Sequence, residues 1–92
     1  MGIQQVGISQ LPSEVQTTAN LIAKGGPFNH AKDGAEFKNR EGLLPTQPPG
    51  YYREYTVETP GAANRGNRRL ITAQNGELYY TPDHYNSFKE II

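Results

Sequence analysis

One stretch of this sequence has the periodicity of an amphipathic helix long enough to pack on other elements. In LPSEVQTTANLIAKGGP, residues 11–27, Val15, Ala19 and Ile22 recur at helical spacing, with Thr18 and Leu21 beside them. Pro12 suits the first helical position. Glu14 and Lys24 fall in the first and last turns, where their charges complement the helix dipole. Gly25-Gly26-Pro27 is a stop signal. A chain with a single such helix near its start must build the rest of its core from strands.

The remainder reads that way. FNHAKDG is a loop with a turn at Asp33-Gly34, and a short strand is expected around Glu36–Asn39. Pro45, Pro48, Pro49 and Gly50 keep the next stretch irregular. Tyr51–Glu58 alternates between two faces. Tyr52, Glu54, Thr56 and Glu58 form the more polar one; Tyr51, Arg53, Tyr55 and Val57 form the other. RRLITAQ and ELYYT are further strands, joined at Asn75-Gly76 by what reads as a two-residue hairpin turn. TPDHYNSF leaves the last strand as a loop, and Phe88, Ile91 and Ile92 are expected to close the core. The fold class is α+β, with one N-terminal helix packed on a small antiparallel sheet. The outer sheet face is then open to carry a site.

At 92 residues the chain reads as one domain over 1–92, with residues 1–8 a flexible lead-in. Such a chain buries roughly 60% of its extended surface, so its core is thin. There is no cysteine, hence no disulfide and no thiolate metal site. No apolar run reaches membrane-spanning length. The first residues lack the basic and apolar regions of a signal peptide. A formal net charge of +0 argues against a long electrostatic track for nucleic acid, which needs many phosphate contacts. It leaves room for a site that grips one phosphate.

The charges are unevenly placed. Arg65, Arg68 and Arg69 crowd into five residues, next in sequence to a strand that carries Glu54 and Glu58. If the strands bring Glu54, Arg65, Arg69 and His84 together, the set holds a carboxylate base, an imidazolium acid and a guanidinium clamp. Phosphodiester cleavage by internal transesterification needs those groups. Plainer readings compete: a surface ion pair worth little, a solvated loop histidine, or a charged turn.

A resemblance bears on the choice. NLIAKGGPF (20–28), DG..F.NRE (33–41), LPTQ (44–47), GYY.EYTV.TPGA (50–62), RG.RRLIT (65–72), YYT.DHY (79–85) and Phe88 follow in order a pattern similar to that of the small microbial guanyl-specific ribonucleases. The Streptomyces branch is the nearer one and barnase is more distant. The resemblance implies that Glu54 is the general base for the ribose 2′-OH and His84 the acid for the leaving 5′ oxygen. Arg65 and Arg69 would hold the phosphate. It also implies a 2′,3′-cyclic phosphate, later hydrolysed, and no metal or other cofactor. The base site would be Phe37, Lys38, Asn39, Arg40 and Glu41. Glu41 would accept from guanine N1–H and N2–H, backbone N–H groups of Asn39 and Arg40 would meet O6, and Phe37 and Tyr85 would stack on or flank the base.

Three positions depart from the family pattern. The disulfide that joins the two ends in the Streptomyces branch is missing, a loss that ordinarily costs about 2–5 kcal/mol. Lys38 stands where a neutral glutamine is usual. Arg53 replaces an expected histidine and is expected to add positive charge beside Glu54. His30 has no assigned role beyond a surface loop.

Expected partners are an RNA substrate and a small acidic inhibitor, barstar-like in role, on a monomer with no membrane attachment. The setting is expected to be a free secreted enzyme or a toxin domain delivered into a target cell. Two other classes compete: a catalytically inactive RNA-binding module of the same fold, and a glycan hydrolase using Glu54 and Glu58 as a carboxylate pair.

Overall fold

The computed structural model describes residues 3–92. The helix, α1, runs Ser13–Lys24, with Pro12 just outside it at the N-cap. Its end is fixed by Gly25, whose φ of 81° is left-handed. Gly25 N–H bonds Ile22 O and Gly26 N–H bonds Leu21 O, which satisfies carbonyls that the last turn would otherwise leave free.

Six strands follow the chain as β1 (Gln4–Val6), β2 (Ala35–Glu36), β3 (Tyr52–Thr56), β4 (Arg69–Ala73), β5 (Leu78–Thr81) and β6 (Lys89–Ile91). They form one sheet in the order β1-β6-β5-β4-β3-β2. All neighbours are antiparallel except β1 and β6, which run parallel from Gln4 opposite Lys89 to Val6 opposite Ile91. Gln4–Val6 lies within the segment read as a lead-in, and Met1 and Gly2 lie outside the described residues. The expected α+β class, one helix on a small sheet, is borne out. β1 and β6 are additions.

Several boundaries differ from the sequence reading. The strand expected at 36–39 is only Ala35–Glu36. The hairpin at Asn75-Gly76 has three loop residues: Gly76 N–H closes a turn on Ala73 O, Ala73 N–H then bonds Glu77 O, and Gly76 takes a φ of 95°. Asn75 stays at negative φ, so Gly76 alone supplies the left-handed residue, as in a turn with a glycine bulge. Ile92 is 72% exposed and does not close the core. Phe88 and Ile91 do pack on it.

Strand alternation puts a hydrophobic cluster on each face. Val15, Val57, Leu70 and Tyr80 pack under α1 with Ala19 and Ile22. On the opposite face, Tyr52, Ile71, Ala73 and Tyr79 join Phe37 and Leu44 from the 37–44 loop. The outer face is therefore half core and half site. Tyr52 and Thr56, read as part of a polar face, are 3% and 4% exposed.

The β3 end runs past its short neighbour β2, and side chains complete its hydrogen bonding. Asp33 Oδ1 accepts from Thr56 N–H at 2.8 Å. Thr18 Oγ1 on α1 donates to Thr56 O at 3.0 Å. Buried backbone groups require such partners.

Candidate active site

The open half of the outer face lies where β3 and β4 run side by side. Glu54 pairs in register with Ile71, and Thr56 with Arg69. Glu54, Thr56 and Arg69 thus point the same way. Arg69 is 4% exposed. Its Nη1 donates to Gly66 O at 3.0 Å and Arg68 O at 2.8 Å, which fixes the guanidinium. Its Nε is buried, 3.9 Å from Glu54 Oε1, and has no hydrogen-bond partner among the described residues. A buried unpaired donor is costly.

Arg65 reaches the same carboxylate from the preceding turn. Its Nε donates to Thr56 Oγ1 at 2.8 Å, its Nη2 donates to Glu54 Oε1 at 3.2 Å, and Asp33 Oδ1 lies 3.9 Å from Nη2. Gly66 makes this turn possible. At φ 66° a Cβ there would stand 2.7 Å from Thr59 Oγ1. The third arginine turns away: Arg68 Nη1 lies 3.4 Å from Glu14 Oε1 on α1 and 3.4 Å from Glu58 O. Two arginines reach Glu54 and one ties the helix to the sheet.

Tyr85 completes the surroundings of Glu54. Its hydroxyl donates to Oε1 at 3.0 Å. Burial first, and then the neighbouring Glu54 carboxylate, push this hydroxyl above the usual tyrosine range, so it remains a donor. Arg65 and Tyr85 both use Oε1. Among the described residues Glu54 Oε2 has no hydrogen-bond partner.

Backbone strain gathers at this site. Asn39, His84 and Tyr85 have φ of 54°, 54° and 75°, an arrangement that costs of order 1 kcal/mol per residue for a side chain with a Cβ. Each is held by specific bonds. Asn39 brackets its loop by donating Nδ2–H to Leu44 O and accepting Leu44 N–H on Oδ1. His84 N–H bonds Asn67 O, and Tyr85 N–H bonds Thr81 Oγ1. Below them, burial pushes the Asp83 carboxyl up, but hydrogen bonds from Ser87 and Thr81 outweigh that and hold it below the usual range.

All three strained residues line one groove of about 360 Å³, together with Glu36, Phe37, Lys38, Arg40, Glu41 and Glu54. The predicted site residues are thus brought together, with Arg65 and Arg69 reaching Glu54 beside the groove. Phe37 is 9% exposed and its ring lies 4.7 Å from that of Tyr85. His84, Lys38, Arg40 and Glu41 are exposed.

Other expectations are not met. Arg53 lies on the sheet face opposite Glu54 and donates to Gly34 O, so its charge is not placed beside the carboxylate. Glu58 does not pair with Glu54. It bonds His30 at 2.8 Å, which gives His30 a partner and removes the carboxylate pair of the glycan reading. Asp33, Thr56 and Thr81 were not singled out as site residues. Asp33 carried only a turn signal in sequence, and its reach to Thr56 and Arg65 depends on register.

Comparison with known proteins gives the family and the fold. A family model described as ribonuclease matches residues 1–92. The chain belongs to the ribonuclease family. Within that family it is 56% identical to guanyl-specific ribonuclease Sa of Kitasatospora aureofaciens over 87 residues, which is 94% of this chain and 91% of that protein. It is 50% identical to guanyl-specific ribonuclease St of Saccharopolyspora erythraea over 91 residues, 99% of this chain and 90% of that one. A structure of ribonuclease Sa2 complexes with mononucleotides superposes with a TM-score of 0.97 at 48% identity, covering 100% of this chain and 96% of that one. The resemblance to guanyl-specific ribonucleases read from the sequence is borne out.

Proposed function

We propose that the protein is a guanyl-specific endoribonuclease cutting single-stranded RNA 3′ of guanosine. The observation that carries this is the Glu54 carboxylate. One oxygen is pinned by Arg65 and Tyr85 and the other has no partner among the described residues, in a groove shared with His84 and residues 37–41.

In the first step Glu54 Oε2 takes the proton of the ribose 2′-OH. The 2′ oxygen attacks phosphorus, the P–O5′ bond breaks, and protonated His84 gives its proton to the leaving oxygen. Arg65 and Arg69 stabilise the charge that grows on the phosphoryl oxygens. In the second step the roles exchange: His84 takes a proton from water, which opens the 2′,3′-cyclic phosphate, and Glu54 protonates the 2′ oxygen. DNA lacks the 2′-OH and is not a substrate. The mechanism asks for no metal. Ribonuclease Sa2 has been crystallised with guanosine-2′-cyclophosphate and with 3′-GMP, which supports the route.

At the far end of the groove the Glu41 carboxylate accepts both donors of the guanine edge. The backbone N–H groups of Asn39 and Arg40, without partners among the described residues, donate to O6. Adenine presents the opposite pattern and leaves these groups unpaired, the arrangement that gives strong discrimination.

The setting we favour is work outside the producing cell, by secretion or as a delivered toxin domain acting as a monomer. A small acidic inhibitor would protect the producer by placing carboxylates on Arg65 and Arg69, with fast, salt-sensitive association. Glu54→Gln separates the enzyme from an inactive RNA-binding module of the same fold. Retained RNA binding with cleavage lost supports the enzyme, whereas cleavage unchanged removes Glu54 from its role.

A further inference from the structure

Glu36, Phe37, Lys38 and Asn39 line two cavities. One is the groove that holds Glu54 and His84. The other, of about 290 Å³, is completed by Thr46, Gln47, Pro48, Pro49 and Tyr52. The proposed reaction does not use it. We propose that this second cavity is a binding site for the nucleobase on the 5′ side of the cleaved guanosine, an inference that rests on the guanosine-cleaving reading above.

Three features carry it. First, the cavity is preformed. Gly50 N–H bonds Glu36 Oε2 at 2.7 Å, Tyr52 OH bonds Pro45 O at 2.6 Å, and Tyr51 N–H bonds Pro48 O at 3.2 Å. The proline loop is therefore tied to the sheet, and little ordering is left to be done on binding. Second, its lining suits a base. The Tyr52 and Phe37 rings and the flat faces of Pro48 and Pro49 are apolar. The Thr46 hydroxyl, the Gln47 amide and Glu36 Oε1 have no hydrogen-bond partner among the described residues. Apolar walls with a few converging polar groups are the usual form of a small-molecule site. The Glu36 charge disfavours a phosphate inside the cavity, while Lys38, exposed on the shared wall, is placed for the phosphate that joins the two nucleotides.

Third, the direction of the strand is constrained. The nucleotide 3′ of the scissile bond leaves through its 5′ oxygen, which must stay beside His84. His84 lines the groove and not the second cavity. A nucleotide lying across the shared wall from the guanosine therefore belongs to the 5′ side.

The test compares kcat/KM for three substrates: GpU, CpGpU, and the same trinucleotide with an abasic 5′ residue. The inference predicts that CpGpU is cut at least about fivefold better than GpU, the lower end of what stacking one base is worth, and that the abasic compound falls back toward GpU. Gln47→Ala should cut GpU at the wild-type rate and lose most of the CpGpU gain. Equal values for all three substrates overturn the site. A gain kept by the abasic compound assigns the effect to the phosphate alone and overturns a base site, and a gain untouched by Gln47→Ala places the base elsewhere. If GpU itself is not cut after guanosine, the ribonuclease reading has failed and the inference falls with it.

Discussion

The hydroxyl of Tyr85 donates to Oε1 of Glu54 at 3.0 Å, the same oxygen that Arg65 reaches. In the proposed role of Glu54 as base, these two residues hold one carboxylate oxygen and leave the other to take the proton. Tyr85→Phe keeps the ring against Phe37 and Phe88 and removes only the hydroxyl. A hydrogen bond to a charged group is worth about 1.5–3 kcal/mol, so kcat should fall by about tenfold or more with guanine preference intact. Steady-state kinetics on an RNA with one guanosine checks this.

Arg65 depends on Thr56, whose Oγ1 accepts its Nε–H at 2.8 Å. Thr56→Val removes that acceptor in a similar volume, and Thr56 N–H keeps its bond to Asp33. The phosphate site should loosen, weakening 3′-GMP binding about three- to tenfold, in line with one lost hydrogen bond. Titration of 3′-GMP into the variant and the wild type measures it.

The base end of the groove should fail differently. In the proposed site Glu41 meets two guanine N–H groups with two carboxylate oxygens, and Glu41→Gln turns one of those oxygens into an NH2 that presents N–H to guanine. Cleavage after guanosine should drop by at least about a hundredfold, with a smaller change in the residual rate at other bases. Glu41 is exposed, so melting temperature should change little. Rates on paired substrates containing one guanosine or one adenosine give the ratio.

Asp83 ties the 81–87 loop together through Thr81 and Ser87. Its folded carboxyl sits below the ordinary value of 3.8, with hydrogen bonds from Ser87 and Thr81 outweighing burial. The stability it contributes is present above that value and is lost as pH falls through the lower folded value. Asp83→Asn should lower the melting temperature at neutral pH and flatten its pH dependence below about pH 4. Thermal melts from pH 2 to 7 test this, and parallel acid limbs for the two proteins would contradict it.

Local chemistry made much of this architecture readable. Helix α1 followed from its apolar spacing and its Gly-Gly-Pro stop, and β3, β4 and β5 from alternation between turns. The β1–β6 pairing did not, because three-residue strands carry almost no pattern and their partners lie 85 positions apart, as with Gln4 and Lys89. Tyr52 looked polar-facing because nothing local announces that the 37–44 loop folds back to bury it, and Thr56 because its partners Thr18, Asp33 and Arg65 come from other elements. The site residues were visible through their motifs. The contacts that fix them were not: Asp33 to Thr56, Thr56 to Arg65 and Tyr85 to Glu54 depend on strand register and on two left-handed residues in sequence, His84 and Tyr85.

The most direct measurement is incubation of the protein with a short RNA containing one guanosine, in EDTA, with the product ends identified. The account predicts a single cut 3′ of the guanosine that leaves a 2′,3′-cyclic phosphate, later opened to the 3′-phosphate. Cleavage at other positions, ends without the cyclic intermediate, or an intact RNA would contradict it.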